Sequence, residues 1–335
     1  MKEQVVIFGA TGSIGAYVAM HLKHAGYEVH AVGRRLSDNG FFAQNGMNYY
    51  SCDIKNTADF KQLPAEVDYI VHLAGAMPAH MKGYDPYEYV NSVIVGTLNV
   101  LEYARKANCK KFVFSQSISD VLYLFGSQNP IPDDVERKSP TTGDHAIYSI
   151  SKNAAVNLIE HYYAEYGIKR YILRLPTIYH YHPNPYYFVN GEKKWLAYRY
   201  IIDRACKGLS LQIWGNPKAI KEMVYIHDLS HLIERCILSD VDGGVYNVGC
   251  GKPITIEEQI HMIAKVFAPN VVLPIEYCPD KPSSPQFVLD INKAKRELGY
   301  APQFTFEKLL IDFKKNMEEE PFAQLWGRKE DFYEC

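Results

Sequence analysis

Val5-Val6-Ile7-Phe8-Gly9-Ala10-Thr11-Gly12-Ser13-Ile14-Gly15 is the stretch on which the reading of this chain turns. Residues 5–8 form an unbroken apolar run, the signature of a strand buried on both faces. Three glycines follow at once, and residues 16–23 then suit a helix. Each glycine answers a separate physical need. Gly9 permits a tight turn, Gly12 lets backbone approach a pyrophosphate, and Gly15 lets the helix pack closely on the strand. The helix N-terminus offers unpaired N–H groups to an anion. The stretch therefore predicts a nucleotide-phosphate site made by Gly9, Thr11, Gly12, Ser13, Ile14 and Gly15.

Outward from this turn, short apolar segments alternate with amphipathic ones. Strands are expected at 5–8, 28–32, 49–51, 69–73, 111–115 and 170–175, and helices at 14–25, 59–63, 86–107 and 147–166. That alternation means βαβ units, right-handed crossovers and a parallel sheet covered on both faces, an α/β doubly wound architecture. Ligands in such sheets bind beyond the C-terminal ends of the strands. After Leu175 the pattern loosens. Residues 176–191, rich in Tyr, His, Pro and Asn, are expected as an ordered loop over a site, followed by a helix at 193–207. Short strands at 211–214, 223–226 and 245–248 and helices at 227–238, 256–267, 292–298 and 305–317 predict a smaller second lobe. The segment after Pro321 carries no readable pattern.

Composition narrows the partners. The chain has 335 residues, 47% hydrophobic and 22% charged, with a net charge of −2, which gives no reason to expect nucleic acid or an anionic membrane as partner. No apolar run has the length of a membrane span. A strand beginning at residue 5 leaves no room for a signal peptide. Seven cysteines, at 52, 109, 206, 236, 250, 278 and 335, are scattered without a CxxC pair. A reducing, cytoplasmic compartment and no metal site are the expectations.

At the end of the second strand a dinucleotide site usually carries a carboxylate for the ribose 2′-hydroxyl. Here the chain reads Gly33-Arg34-Arg35. Guanidinium suits a 2′-phosphate, so NADP is favoured over NAD. Asp53, beside Ile54 at the end of strand three, is expected to accept from the adenine amine, or else to cap a helix. Leu73, Ala74 and Gly75 are small enough at the end of strand four for backbone to lie against a flat cofactor. Strand five ends in Ser115-Gln116-Ser117-Ile118-Ser119-Asp120, and Tyr148 and Lys152 stand four residues apart on the next long helix. They share a helix face. An ammonium there is expected to pull the phenol below its ordinary pKa of about 10, fitting it for proton transfer on a carbinol or carbonyl. The same spacing recurs at Tyr277 and Lys281, but Pro279 lies between them and breaks the shared face.

With these residues in place, the chain resembles the extended short-chain dehydrogenase/reductase family, the NAD-dependent epimerase/dehydratase group, over residues 4–315. The resemblance is carried by Gly9–Gly15, His72–Ala76, Asn91 with Gly96-Thr97, the serine-rich strand end, Tyr148 with Lys152, Arg174-Leu175-Pro176-Thr177, Tyr225-Ile226-His227-Asp228-Leu229 and Tyr246-Asn247-Val248-Gly249. It implies a Rossmann domain over 1–175, extended by parts of 210–250, and a C-terminal substrate lobe over 176–335. It implies Ser117 as the active-site hydroxyl, with Ser119 as the alternative, Tyr148 as acid/base, and Lys152 as its partner and a contact of the nicotinamide ribose. Asn91, Ser115 and Pro176 join the cofactor contacts. Ser117, Thr177, Tyr179, Lys221 and Lys281 fall on the substrate side, the two lysines where relatives place arginines against a nucleotide diphosphate. The dehydratases carry Asp-Glu where this chain has Ile118-Ser119, which argues against elimination of water. The expected activity is therefore epimerisation of a nucleotide sugar by transient hydride transfer. The alternatives are an NADPH-dependent reductase of a 4-keto sugar or related carbonyl compound, and a non-catalytic NADP-binding regulator. The long helices 86–107 and 147–166 imply a homodimer.

Overall fold

The computed structural model describes residues 2–143 and 145–333. Its centre is a seven-stranded sheet. In chain order the strands are β1 (Gln4–Phe8), β2 (Glu28–Gly33), β3 (Asn48–Ser51), β4 (Tyr69–His72), β5 (Lys111–Ser117), β6 (Lys169–Leu175) and β7 (Gly243–Asn247). They lie in the order β7-β6-β5-β4-β1-β2-β3, every pair parallel. The alternation of side chains along β1 explains its unbroken apolar sequence. Val5 and Ile7 enter one hydrophobic cluster, Val6 and Phe8 the other. The sheet order reverses between β1 and β4, so the crevice for a ligand opens where the glycine turn leaves β1.

Helices α1 (Ser13–His24) and α5 (Ile226–Leu238) cover one face, and α2 (Gly96–Lys106) and α3 (Ala146–Tyr166) the other. The chain enters α2 through a helical turn, Pro86–Tyr89, and a π-helical turn, Val90–Val95. Asp85 starts this run by accepting from the N–H groups of Tyr87 and Glu88. Gly96 packs closely on Ile54: a Cβ there would lie 2.7 Å from Ile54 Cδ1, so that side chain would have to shift. The second lobe contains α4 (Ala197–Cys206), α6 (Ile256–Phe267), α7 (Phe306–Glu319) and a parallel strand pair, Leu211–Trp214 with Ile275–Cys278. One hydrophobic cluster runs from Val5 through Phe313 to Trp326, so this lobe shares a core with the sheet.

Three sequence expectations need correction. Residues 176–191 are not simply a loop, and the helix expected at 193–207 starts only at Ala197. Strands Tyr186–Val189 and Glu192–Trp195 pair as a hairpin. Its turn is Asn190-Gly191, with φ of 51° and 81°. Two consecutive positive φ values are the mark of the tight turn that matches strand twist, and Asn-Gly is its favoured dipeptide. The segment expected as a helix at 59–63 is a 3₁₀ helix, Thr57–Gln62, capped by Asn56 rather than Asp53.

Six cysteines are free, and Cys335 lies outside the described residues. Among the described residues no cluster suits a metal ion, and no helix is long and apolar enough to cross a membrane.

Candidate active site

The glycine turn has the form its sequence demands. Gly9 adopts φ +88°, and a Cβ there would lie 2.9 Å from the backbone nitrogen of Ala74. A Cβ on Gly15 would collide with the carbonyl oxygen of Gly9. The N–H groups of Gly9 and Ala10 both donate to the carbonyl of Val32, at 2.9 and 3.0 Å. Gly12 is the N-cap of α1. No side chain caps that helix and no acidic residue occupies its first turn. Its first N–H groups and the dipole are thus left to an anion, and the bare glycine backbone leaves room for a pyrophosphate to approach. Thr11, Ser13 and Ile14 complete the turn, partly exposed. These residues fit a dinucleotide.

At the C-terminal end of β5 the structure brings Ser117, Tyr148 and Lys152 together. Tyr148 and Lys152 are both buried on α3. The Tyr148 hydroxyl is hydrogen-bonded to Ser117. Ser119 does not make that contact; it is buried with an unpartnered hydroxyl, while its N–H donates to Ser117 Oγ at 3.1 Å. Lys152 Nζ donates to the carbonyl of Ser115 at 2.7 Å and lies 4.4 Å from the centre of the Phe114 ring. The expected depression of the phenol is not seen. Burial pushes Tyr148 up to about 12, and the bond with Ser117 only partly opposes it. Burial also pushes Lys152 down to about 7. The physical reason is that a dry pocket penalises both charges, and the ammonium is spent on a carbonyl rather than on the phenolate. His72 lies beneath, bonded to Thr97 Oγ1 at 3.0 Å and lowered to about 3 by burial and by Lys152.

The opposite end of the crevice is charged and wet. The two arginines after β2 part company. Arg35 Nη1 donates to the carbonyl of Leu325 at 2.7 Å, whereas the Arg34 side chain is 71% exposed and pairs with Glu88 at 3.3 Å. Asp53 accepts from the Lys55 N–H at 3.0 Å, closing its own turn. Ile54 is buried, and Asn91 is exposed on the π turn. Leu73, Ala74 and Gly75 follow β4 directly, and Gly75 adopts φ +139°. Pro176 is buried just beyond β6.

On the substrate side the expected residues differ in exposure. Thr177 is exposed, but Tyr179 is buried with its ring 4.6 Å from that of Tyr198, part of the core rather than a group free to meet a ligand. Lys221 is half-buried and lowered by that burial. Lys281 is exposed, its Nζ 5.5 Å from the centre of the Trp214 ring.

Three features had no signal in the sequence. Asp120 is fully committed to Arg174, whose Nε lies 2.9 Å from Oδ1, both side chains being buried. Arg174 Nη1 also donates to Asn247 Oδ1 at 2.7 Å, so this pair ties the ends of β5, β6 and β7 together. Glu88 gathers cations from two loops. The segment after Pro321, opaque in sequence, closes over the glycine turn. Trp326 Nε1 donates to the carbonyl of Thr11 at 3.0 Å, and Phe322 packs on Tyr17 with ring centres 4.5 Å apart.

Comparison with known proteins bears on these features. The profile of the NAD dependent epimerase/dehydratase family matches residues 5–249. A putative UDP-glucose 4-epimerase of Methanocaldococcus jannaschii is 24% identical over 319 residues, covering 93% of this chain and 98% of that protein. The dTDP-glucose 4,6-dehydratase of Salmonella typhimurium is 25% identical over 337 residues, covering 91% and 90%. In fold, the chain is similar to a UDP-N-acetylglucosamine 4-epimerase from Methanobrevibacter ruminantium in complex with UDP-N-acetylmuramic acid. Its TM-score is 0.77 at 21% identity, covering 96% of this chain and all of that one (100%). It is also similar to a UDP-glucuronic acid 4-epimerase from Bacillus cereus in complex with NAD, with a TM-score of 0.72 at 21% identity and 94% and 97% covered. The glycine turn, the parallel sheet and the family match lead to one conclusion: the chain belongs to the NAD-dependent epimerase/dehydratase family of extended short-chain dehydrogenases/reductases.

Proposed function

We propose that the protein is a nucleotide-sugar epimerase in which Ser117, Tyr148 and Lys152 carry the proton chemistry. The observation behind this reading is the bonded pair Ser117–Tyr148 beside a buried Lys152, at the mouth of the crevice that the glycine turn shapes. Three of the relatives reported above are named as 4-epimerases of UDP-sugars, which supports the same class. When bound, the dinucleotide supplies the hydride acceptor and donor. Ser117 holds the substrate oxygen, and Tyr148 takes the hydroxyl proton and returns it. Both halves of an epimerisation then use one residue in its two protonation states. Lys152 makes that possible by stabilising the phenolate once its ammonium turns from the Ser115 carbonyl. The dry surroundings strengthen every such interaction. Asp120 takes no part in the proton chemistry, because both its oxygens already accept from Arg174 Nε. Thr177, Lys221 and Lys281 meet the substrate, the lysines as point charges for its diphosphate.

The test is incubation of the purified protein with UDP-, GDP-, CDP- and dTDP-sugars plus NAD or NADP, with products read by NMR. Interconversion of two sugars without net cofactor change supports the epimerase. A net fall at 340 nm with a carbonyl substrate would replace it with the reductase reading. Unchanged biological activity in Tyr148→Phe would remove catalysis altogether. Val95, Leu98 and Ile150 remain exposed on the π turn, α2 and α3, and we propose that they meet their copies in a homodimer. Light scattering that shows a monomer at micromolar concentration would remove that assembly.

A further inference from the structure

Four charged groups from three loops meet at the adenosine end of the crevice. Arg34 follows β2, Asp53 and Lys55 follow β3, and Glu88 lies in the turn Pro86–Tyr89. Lys55 Nζ lies 2.9 Å from Glu88 Oε2 and 3.8 Å from Asp53 Oδ2, while Arg34 Nη1 lies 3.3 Å from Glu88 Oε1. Two cations face two carboxylates, so the cluster is neutral before any ligand arrives. Arg35 stands outside it, held by the Leu325 carbonyl. The usual ribose acceptor at the end of β2 is missing, and the carboxylate that reaches Arg34 comes instead from Glu88, ahead of α2.

We propose that Glu88 determines which dinucleotide this chain accepts: it supplies the carboxylate for the ribose 2′-hydroxyl that β2 lacks, and by holding Arg34 and Lys55 it denies them to a 2′-phosphate, so NAD is selected over NADP. The inference rests on the dinucleotide reading of the glycine turn. A phosphate monoester carries close to two negative charges at neutral pH. Entering here, it would meet Glu88 and Asp53 while the cations that should receive it are already paired. The 2′-hydroxyl carries no charge and donates a hydrogen bond to a carboxylate. The two arginines that favour NADP in the sequence are thus divided in the fold, one tied down and one neutralised.

The experiment measures dissociation constants for NAD⁺ and NADP⁺ by calorimetry, which needs no turnover. Wild type is expected to bind NAD⁺ more tightly. Glu88→Gln keeps the side-chain shape, removes the charge and frees both cations. It is expected to move the NADP⁺/NAD⁺ affinity ratio towards NADP⁺ by about tenfold, the effect of releasing partly exposed charges. Adding Arg34→Ala and Lys55→Ala together should cancel that gain, and Arg35→Ala alone should leave the ratio unchanged. Thermal melts check that each variant is folded. A wild-type preference for NADP⁺, or an unchanged ratio in folded Glu88→Gln, overturns the proposal. Binding of neither dinucleotide overturns the cofactor reading itself, and the proposal falls with it.

Discussion

The two ends of the crevice are built on opposite electrostatic plans. At the end proposed for the nicotinamide Tyr148 and Lys152 are 8% and 5% exposed and sit among serines and an aromatic ring. At the end proposed for the adenosine the charges of Arg34, Lys55 and Glu88 stay in contact with water. In the first place charge is scarce and each proton is costly to move without help. In the second it is abundant and screened. Chemistry belongs where the protein has excluded water, and recognition of the cofactor's handle where it has not.

The largest effect should come from breaking the dry end. Tyr148→Phe removes the group proposed to move the proton and is expected to lower turnover ~10²–10⁴-fold, with cofactor binding retained. Steady-state rates with whichever nucleotide sugar is converted provide the check, and near wild-type turnover would show that proton transfer lies elsewhere. Next comes the C-terminal segment that closes over the glycine turn. Trp326 is 6% exposed, and Trp326→Ala should cost about 3–5 kcal/mol of stability through the space it leaves. Trp326→Phe keeps most of the packing but gives up the bond to Thr11, and should cost far less. Denaturant midpoints compare the two, and equal losses would mean that the Thr11 contact, not the ring, holds the segment.

The dry end was largely legible in the sequence and the wet end was not. Glycines at 9, 12 and 15, a serine at the end of β5 and a Tyr–Lys pair on one helix are local patterns with one sensible geometry. Glu88 and Lys55 belong to loops 33 residues apart, and only the fold brings them together. The Trp326–Thr11 bond spans 315 residues, which no periodicity reports. The hairpin at 186–195 was a different kind of miss. Its Asn190-Gly191 turn stood in the sequence, overlooked within a segment that its tyrosines and prolines marked as loop. The protonation of Tyr148 also ran against expectation. Spacing predicts that Lys152 is near, but not that its ammonium points at the Ser115 carbonyl.

Burial gives the dry end a pH signature of its own. Lys152 ordinarily holds its proton to about 10.5, yet in the folded protein it releases it at about 7. Between those values the unfolded chain binds more protons, so this group's contribution makes stability rise with pH across that window. Tyr148 works the other way. Its folded value of about 12 exceeds the ordinary 10.0, so the folded state keeps a proton the unfolded chain has lost, and stability falls as pH climbs from 10 towards 12. Urea unfolding of wild type and Lys152→Met across this range should show a difference that shrinks as pH rises above 7. A difference independent of pH would place a charged, solvated Lys152 at the site.

The smallest effect is expected at the wet end, and it is the one that sharpens the contrast most. The Arg34 side chain is 71% exposed and its partner Glu88 24%. Water solvates both whether or not they touch, and holding two long side chains together costs entropy. Pairs of this kind contribute about 0–1 kcal/mol. Arg34→Ala should therefore leave the denaturant midpoint almost unmoved while it changes how the cofactor's ribose is received. On the proposed reading the pair serves discrimination, because discrimination needs only a difference between two ligands and not a large stability. If Arg34→Ala instead destabilised the fold as much as Trp326→Ala, the cluster would be a structural clasp between β2 and the helix entering α2, and its charges would no longer be available to read a ligand.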